Sequence, residues 1–370
     1  MKIRRIYLIA VLLPLLFSCG GKEDTHELPP PDILNPTNPD DQGGEDEISD
    51  ESGANENPGT GETHEWDKNR GKVVTPSGTG WTSKSIDDGV VYYSFSGVDA
   101  ISGKAQEVFA IDVDLSKSQY QIKLVYASPR VVCSEIHKQY NAVATMNANY
   151  ELASIYIRVD GVTRQSITNA NIGSTTVPNW KNDGGFACNG ERGIQILDAG
   201  CFHHGDVTLA QQRKFYTSVT SEMPHVISSA PLLIYDYEPK GENFCDYTLT
   251  SAQVNKLNSE DPDRHQRVLH PRTAVALTEN GHFIMFVVDG RTNFSSGMSA
   301  RQLTKFLVKW FNPQYALNMD GGGSSTLCVK GEGDPETHVV NYPCDNLTSK
   351  DAHDHAGERA RDVHFVLLKK

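Results

Sequence analysis

The residues best suited to chemistry cluster in one short stretch, 318–326, where Asn318, Met319 and Asp320 lead into three glycines and three hydroxyl residues. Glycine reaches backbone conformations that other residues avoid, so the N–H groups of residues 321–325, the glycine loop, can converge on one anion. Asp320 adds a carboxylate beside those donors. The stretch predicts a site for a phosphate or a sugar ring, and its predicted binding residues are Asn318, Gly321, Gly322, Gly323, Ser324 and Ser325.

A second set of charged residues flanks a predicted β-hairpin upstream of this loop. Arg272 opens one apolar run, Asp289 directly follows the next, and Asn280-Gly281 joins the two runs. Asn-Gly between apolar runs is typical of a two-residue hairpin turn, and that turn sets Arg272 opposite Asp289 on one face of the sheet. Arg291 adds a second guanidinium, a group that binds phosphate in a bidentate manner. The pattern therefore predicts a carboxylate with nearby cations at the end of a strand.

The segment between the two aspartates predicts that both lie at one edge of a sheet. Ser299 can cap a helix, residues 315–319 form a further predicted strand, and the helix carries an apolar stripe of Leu303, Phe306, Leu307 and Trp310. A strand, a crossover helix and a second strand imply that the two strands are parallel, and parallel strands end at the same edge. We therefore expect Asp289 and Asp320 to emerge together, where open sheets commonly bind ligands.

The remainder of the chain from Trp66 onward alternates short strands with turns. Apolar runs predict strands at 90–95, 107–115, 120–125, 142–146 and 155–159. A short helix is predicted at 134–140, and helical signals are otherwise scarce. The predicted fold class is therefore α+β, a single β-rich domain with a mixed sheet over residues 66–370.

Several of these segments resemble the signature of the phosphodiester glycosidase family. The matching segments are 272–274, 288–291, 298–299 and 318–326, with 339–343 and 357–359 similar to the family's closing motifs. The resemblance extends from about residue 140 to residue 370 and is specific over 272–361. The chain departs from the family pattern at 147–151, where Asn-Ala-Asn-Tyr-Glu replaces an Asn-Gly-Gly-Tyr-Phe-like run, and at Ala360, which replaces a proline.

The resemblance implies an enzyme that hydrolyses the C1–O bond of a sugar 1-phosphodiester, such as an N-acetylglucosamine 1-phosphodiester, without a cofactor. It implies Asp289, Asp320 and Glu358 as candidate catalytic carboxylates near the developing oxocarbenium ion. The sugar phosphate would be bound by the glycine loop together with Arg272, Arg291, Arg359, Asn147 and Asn318. Which carboxylate attacks, and with which stereochemical outcome, stays open at this stage.

Two other classes of function remain open from the sequence. His203-His204 and His353-Asp354-His355 are ligand types for a divalent ion, which would make the protein a metal-dependent phosphodiesterase. Loop oxygens are also compatible with a structural Ca²⁺. A non-catalytic glycan-binding lipoprotein would instead use exposed aromatic rings, for which the candidates are Trp81, Tyr150, Trp180 and Trp310. We favour an enzyme because a neutral glycan needs few guanidinium groups.

The first 65 residues predict export and anchoring. Residues 1–18 have a basic start and a short apolar run typical of a lipoprotein signal peptide, with Cys19 as the lipidated mature terminus. Residues 19–65 are predicted to form a disordered acidic tether, because 20–65 holds 14 acidic residues against Lys22 alone, a charge of −13 that equals the whole-chain value. We expect a domain tethered in a bacterial cell envelope, with membrane contact through the lipid only. The domain has no basic patch that would favour nucleic acid.

Six cysteines follow Cys19, an even number that suggests disulfides in an exported chain. Pairing neighbours along the chain predicts a Cys188–Cys201 bond and a Cys328–Cys344 bond. Buried reduced thiols are the alternative, since unpaired cysteine is among the most buried residue types.

Overall fold

A computed structural model of the protein describes residues 47–49, 51, 65–151, 154–172, 175–177, 179–200 and 207–370. The described residues form helices α1 to α6 at Glu65–Lys68, Cys133–Tyr140, Leu209–Thr217, Ser251–Val254, Pro262–His265 and Ala300–Trp310. They form strands β1 to β9 at Trp81–Asp87, Val90–Val98, Ala105–Asp114, Tyr120–Val131, Ala144–Asn147, Ile157–Val159, Val162–Gln165, Ala170–Ile172 and Thr175–Val177. Strands β10 to β18 lie at Gly184–Cys188, Ile194–Asp198, His225–Ser229, Leu232–Tyr235, Arg272–Leu277, His282–Val288, Tyr315–Asn318, Leu327–Val329 and Arg361–Lys369. The predicted α+β class, rich in β-structure with few helices, is confirmed.

The strands are arranged in three larger sheets and one two-stranded sheet. The largest has seven strands in the order β1-β2-β3-β15-β14-β16-β13. A five-stranded sheet follows the order β11-β10-β12-β6-β7, a four-stranded sheet the order β17-β5-β18-β4, and β8 pairs with β9. Neighbouring strands in every sheet of the described residues are antiparallel, so the sheets are not mixed as predicted. The large sheet therefore supplies the frame on which both aspartate-bearing strands lie.

Two hydrophobic cores cover the two faces of the seven-stranded sheet. Helix α6 packs on one face through its buried Leu303, Phe306 and Leu307, as its apolar stripe predicts. Ser299 caps this helix, since its hydroxyl accepts a hydrogen bond from the Gln302 N–H at 3.2 Å. The other face contributes to a larger core shared with the four- and five-stranded sheets, which includes Val287, Leu317, Met319, Ile227 and Phe365.

The β14–β15 hairpin forms at Asn280-Gly281 as predicted, but its register is shifted by one residue. The turn has three residues between Thr278 and His282, whose backbone atoms pair at 3.0 Å, so Arg272 faces Val288. Because side chains alternate between faces, a one-residue slip moves a residue to the other side of the sheet. The prediction that Arg272 and Asp289 share one face is therefore wrong.

Strands β15 and β16 run in the same direction, as the crossover predicts. Each of them is antiparallel to β14, which lies between them in the sheet. Both strands therefore end at the same edge, with Asp289 directly after Val288 and Asp320 two residues after Asn318. The predicted placement of the two aspartates at one sheet edge is confirmed.

Part of the predicted acidic tether is docked on the domain. Ile48 forms a β-bridge with Val268, and the buried Ser49 donates its backbone N–H to the Arg267 carbonyl at 3.1 Å. Glu51 accepts a hydrogen bond from the capping hydroxyl of Ser299 at 2.9 Å. The prediction of disorder to residue 65 is therefore wrong for residues 47–49 and 51, because these residues have hydrogen-bond partners in the domain. The predicted signal peptide and the predicted lipidation site Cys19 lie outside the described residues.

The predicted disulfides are not formed. Cys328 lies in β17 as a buried free thiol that packs against Cys133 and Val339, so the predicted bond with Cys344 is wrong. Cys188 in β10 is also a free thiol, which excludes its predicted bond with Cys201, a residue outside the described part of the chain. Both thiols point into packed cores, and burial raises the pKa of Cys188 to about 12. Short separation along the chain did not join Cys328 to Cys344.

No helix among the residues that the structure describes is both long and apolar enough to traverse a bilayer.

Candidate active site

The edge where β15 and β16 end is enclosed by three further segments. The glycine loop follows β16, residues 341–342 cross the end of β15, and the first residue of β18 is Arg361. Residues from these separate parts of the chain bond directly to Asp289 and Asp320. The edge is therefore the place where the predicted catalytic carboxylates acquire their surroundings.

Asp289 is enclosed by neutral hydrogen-bond donors. Its side chain is almost fully buried, with Oδ1 accepting from Asn341 Nδ2 at 2.9 Å and Oδ2 accepting from the Tyr342 N–H at 2.8 Å. Burial raises the pKa of Asp289 to about 7, the two hydrogen bonds oppose that rise, and the charge of Glu107 adds to it. A carboxyl group of this kind can hold or release a proton near neutral pH.

Asp320 forms an ion pair with a buried cation. Its Oδ2 lies 2.7 Å from Arg361 Nη2, and both side chains are less than a tenth exposed. The Arg361 Nε donates to Ser324 Oγ at 2.6 Å, which fixes the guanidinium against the glycine loop. A buried guanidinium at this distance compensates a negative charge on Asp320.

The glycine loop links the two carboxylates through a network of buried amides and hydroxyls. Asn341, which binds Asp289, also donates to the Ser325 carbonyl at 2.9 Å. Asn147 donates to the Asp320 carbonyl at 2.7 Å, and Thr273 Oγ1 lies 3.1 Å from Asn147 Oδ1 and 3.2 Å from Ser325 Oγ. Asn147 and Ser325, both predicted to bind substrate, thus hold the loop between the two aspartates.

Close packing explains two of the glycines in the loop. A Cβ on Gly321 would lie 2.6 Å from the Pro271 carbonyl, and a Cβ on Gly323 would lie 2.5 Å from Arg359 Nη2. The N–H groups of Gly322, Ser324 and Ser325 donate to the carbonyls of Pro271, Gly321 and Gly322 at 2.8, 3.1 and 3.2 Å. The predicted converging N–H groups are therefore largely used within the protein, and phosphate binding by this loop stays a prediction.

Arg272 holds the backbone instead of facing the site. The guanidinium is fully buried and donates to Gln266 Oε1 at 2.8 Å and to the carbonyls of Met298, His265 and Val268 at 2.9, 3.2 and 2.9 Å. Burial lowers the pKa of Arg272 to about 10. Its predicted role as a phosphate ligand conflicts with this geometry, because four acceptors of the protein already occupy four of its five N–H donors.

The other predicted arginines lie in loops with partners of their own. Arg359 borders the glycine loop and donates its Nε to Asp345 Oδ1 at 2.7 Å. Arg291 lies 2.8 Å from Nδ1 of His270, whose pKa is held well below its usual range by burial and by the arginine itself. Of these two, the structure brings Arg359 to the glycine loop.

Asn318 and Glu358 serve the scaffold. Asn318 is fully buried and donates to the Ala230 carbonyl at 2.7 Å and to the Tyr150 hydroxyl at 3.0 Å. Glu358 accepts hydrogen bonds from the hydroxyl and the N–H of Ser134 in the first turn of α2, the N–H at 2.9 Å. Burial raises the pKa of Glu358, and its place at the helix N-terminus suits a carboxylate. The network around Asp289 and Asp320 does not include it.

Sequence reasoning missed the partners that distinguish the two aspartates. Arg361 follows the predicted Arg359 by two residues, and Asn341 with Tyr342 belongs to a segment that resembles the family without having been given a role. The only signal for Arg361 was its position at the start of the final strand, next to the closing motif. Isolated motifs do not show which of their residues point into the site.

The residues proposed for the alternative functions have structural partners. Tyr150 and Trp180 are buried, and Trp81 packs against Trp310 with ring centroids 5.4 Å apart, so none of the four is an exposed stacking platform. His353 lies 2.9 Å from Glu107, and His355 lies 2.8 Å from the Asn341 carbonyl. Within the described ranges, no three His, Cys, Asp or Glu side chains form a group that could hold a metal; His203 and His204 lie outside them.

Comparison with known proteins places these residues in a family. The family model described as phosphodiester glycosidase matches residues 140–366. N-acetylglucosamine-1-phosphodiester alpha-N-acetylglucosaminidase from Homo sapiens is 28% identical over 102 residues, and the Bos taurus protein is 32% identical over 84 residues. These segments cover 28% and 23% of this chain, and only 17% and 14% of the two relatives.

A solved structure shares the fold. The crystal structure of a hypothetical protein from Synechocystis superposes with a TM-score of 0.52 at 13% identity, covering 78% of this chain and 64% of that one. The family match spans more than half of the chain and contains Asp289, Asp320, Asn341 and Arg361. The chain therefore belongs to the phosphodiester glycosidase family.

Proposed function

We propose that this protein hydrolyses the glycosidic C1–O bond of a sugar 1-phosphodiester, with Asp320 and Asp289 as its catalytic pair. The observation that carries the proposal is the contrast between the two carboxyl groups across the glycine loop. Asp289 has a pKa raised to about 7, whereas Asp320 lies 2.7 Å from a guanidinium. Titratable pairs whose surroundings drive their protonation apart are typical of acid–base catalysis.

The reaction divides naturally between these two groups. Positive charge develops on the sugar ring in the transition state, and a carboxylate at Asp320 stabilises it as nucleophile, base or counter-ion. The leaving phosphate monoester is a weak base, so it requires only a hydrogen bond or a late proton, which Asp289 can supply. Arg361 and Arg359 both border the glycine loop, where a guanidinium can bind the phosphate.

We further propose that the substrate is a glycan phosphodiester outside the cytoplasm. The basic and apolar start of the chain, followed by Cys19, supports export with a lipid anchor, and the acidic tether supports a domain held away from the membrane. An N-acetylglucosamine 1-phosphodiester is the first candidate, because the curated relatives carry that substrate in their names.

The test is hydrolysis of a panel of sugar 1-phosphodiesters in ¹⁸O-labelled water by the purified domain. The proposal predicts a free sugar and a phosphate monoester, with the label in the sugar, and turnover by Asp320→Asn that is lower by about 10²-fold or more at matched concentration. Label in the phosphate would show P–O cleavage and favour the phosphodiesterase alternative. Tight binding of the panel without turnover would favour the glycan-binding alternative.

A further inference from the structure

A row of alternating charges begins at Asp320 and Arg361 and continues into three residues that have no part in the chemistry described above. The charge row consists of Asp320, Arg361, Glu151, Lys181 and Glu260. Arg361 Nη2 lies 3.9 Å from Glu151 Oε1, and Lys181 Nζ lies 3.4 Å from Glu151 Oε2 and 2.8 Å from Glu260 Oε2. The row therefore joins a half-exposed surface to the carboxylate proposed to act on the sugar.

The two cations of the charge row are buried and held in place. Arg361 and Lys181 have side chains that are 3% and 6% exposed. The Lys181 ammonium lies 5.2 Å from the Tyr150 ring centroid and 5.6 Å from the Trp180 ring centroid. The Trp180 Nε1–H donates to the Glu260 carbonyl at 2.9 Å, and this hydrogen bond fixes the Trp180 ring beside Lys181. The Glu151 side chain, which lies between Arg361 and Lys181, is therefore held by two cations whose positions are fixed.

Glu151 is the group in the row that a ligand next to Asp320 would meet. Its side chain is 46% exposed, in contrast to the buried Asp320 and Arg361. Lys181 foremost, and then Arg361, lower the pKa of Glu151 to about 2 against the opposing effect of burial. The group therefore stays ionised in the neutral range, where it accepts hydrogen bonds and cannot act as a general acid.

The remaining acceptor capacity of Glu151 suits hydroxyl groups. A carboxylate offers about four acceptor positions, of which the Lys181 ammonium takes one, while the Arg361 guanidinium at 3.9 Å is beyond hydrogen-bond distance. The two cations already compensate the charge, so a cationic ligand gains little there. Neutral hydroxyl groups gain charge-assisted hydrogen bonds, which are the stronger kind.

We propose that Glu151 is a specificity-determining residue that accepts hydrogen bonds from hydroxyl groups of the sugar whose C1 lies at Asp320. The inference rests on the proposed function and adds to it the group that selects the sugar. Lys181 is a positioning residue in this assignment, since its ammonium group holds the Glu151 carboxylate in place. The selected ligand class is a polyhydroxylated, uncharged ring joined to phosphate.

The test pairs deletion of the carboxylate with deletion of single substrate hydroxyls. Wild type, Glu151→Ala and Glu151→Gln are assayed on one cleaved sugar 1-phosphodiester and on its monodeoxy analogues. A hydrogen bond from hydroxyl to carboxylate predicts that wild type loses about 10- to 100-fold in kcat/KM on one or two deoxy analogues. Glu151→Ala should lose less than about threefold on the same analogues, because the bond is already absent. Glu151→Gln, which keeps an acceptor for Lys181, should show an intermediate penalty.

Glu260→Gln is the matched control, because it removes the same charge from Lys181 without touching Arg361. It should retain the full deoxy penalty of wild type. Equal deoxy penalties in wild type and in a folded Glu151→Gln or Glu151→Ala would overturn this assignment while leaving the proposed function intact. Absence of cleavage of every parent compound by wild type would overturn the proposed function and, with it, this assignment.

Discussion

The surroundings of Asp289 and Asp320 differ although the two residues occupy equivalent places in the sheet. Each follows a strand that is antiparallel to β14, and each is nearly buried. Asp289 meets an amide of Asn341 and a backbone N–H, whereas Asp320 meets the Arg361 guanidinium. Topology therefore delivers two carboxyl groups to one edge, and the neighbours from other segments give each a different environment.

The difference has a direct meaning for the proposed reaction. Neutral donors offset only part of the cost of burying a charge, so a carboxyl group among them keeps its proton to higher pH. A guanidinium offsets much more of that cost. One site thus offers a proton holder and a compensated carboxylate, which a pair of identical environments would not provide.

The largest expected effect is the loss of turnover in Asp320→Asn. Asparagine keeps the shape and removes the charge, so we expect kcat/KM to fall by about 10²-fold or more at every pH. Asp289→Asn should cost as much only below neutrality, because wild-type Asp289 itself loses its proton near its pKa of about 7. Steady-state kinetics from pH 5 to 9 on folded variants measures both profiles. Retention of more than about a tenth of wild-type kcat/KM, a loss of only about 1.4 kcal/mol, by Asp320→Asn at any pH or by Asp289→Asn below neutrality would refute the pair.

Replacing Arg361 and Arg272, two of the buried arginines, distinguishes a residue of the site from a residue of the scaffold. Lysine keeps the charge and loses the planar fork, so Arg361→Lys should lower kcat/KM by about tenfold or more with little loss of stability. Arg272→Lys should leave kcat and KM within about threefold and reduce the free energy of unfolding by about 2–4 kcal/mol, since several buried acceptors lose their donor. Enzyme kinetics and urea denaturation of both variants provide the comparison. A raised KM in Arg272→Lys would restore its predicted role in phosphate binding.

A smaller effect is expected on the pH dependence after Glu107→Gln. If the protonated form of Asp289 is active, activity is full below its pKa and is lost as pH rises through about 7. Removing the Glu107 charge, which raises the pKa of Asp289, should move this falling limb to lower pH. Glutamine keeps an oxygen for the contact of Glu107 with His353. An unchanged or upward-shifted limb in the pH profile of kcat would contradict the role of Asp289.

The smallest effect is expected from shortening the N-terminal segment. Removal of residues 1–46 should leave the pH profile and melting temperature of the domain unchanged. Removal of residues 1–64 deletes the Ile48 bridge and the Glu51–Ser299 hydrogen bond, so we expect a fall in melting temperature of about 2–4 °C with an unchanged pH profile. Calorimetry and kinetics on both truncated forms provide the measurement. A shift of the falling limb of the pH–activity profile in either truncated form would show that the N-terminal segment also affects the difference between the two aspartates.

Local sequence patterns and the rules of strand connection were sufficient to predict which residues lie at the sheet edge. Asn280-Gly281 specified a hairpin, the Ser299 cap and the apolar stripe specified α6, and the crossover order specified that β15 and β16 are parallel. Each of these features depends on residues close together in the chain or on the handedness of short connections. They were sufficient to predict that Asp289 and Asp320 lie at the same edge of the sheet.

Two features could be seen only in the tertiary structure. They are the extra residue in the hairpin turn and the side-chain partners that come from distant segments. The three-residue turn placed Arg272 on the opposite face from the predicted one, where backbone carbonyls of another segment bind it. Cys328 likewise met Cys133 instead of its predicted neighbour. Hairpin register depends on the length of the turn, and side-chain partners come from distant parts of the chain, so short sequence motifs show neither.

The sequence by itself determined the α+β class, the paired aspartates and the glycine loop at one edge of a sheet. Only the tertiary structure decided that Asn341 and Tyr342 surround one aspartate while Arg361 surrounds the other, and that Glu151 lies exposed beside them. The physical reason is that protonation and ligand contact depend on burial and on charges within a few ångströms, and those neighbours come from residues far apart in the chain.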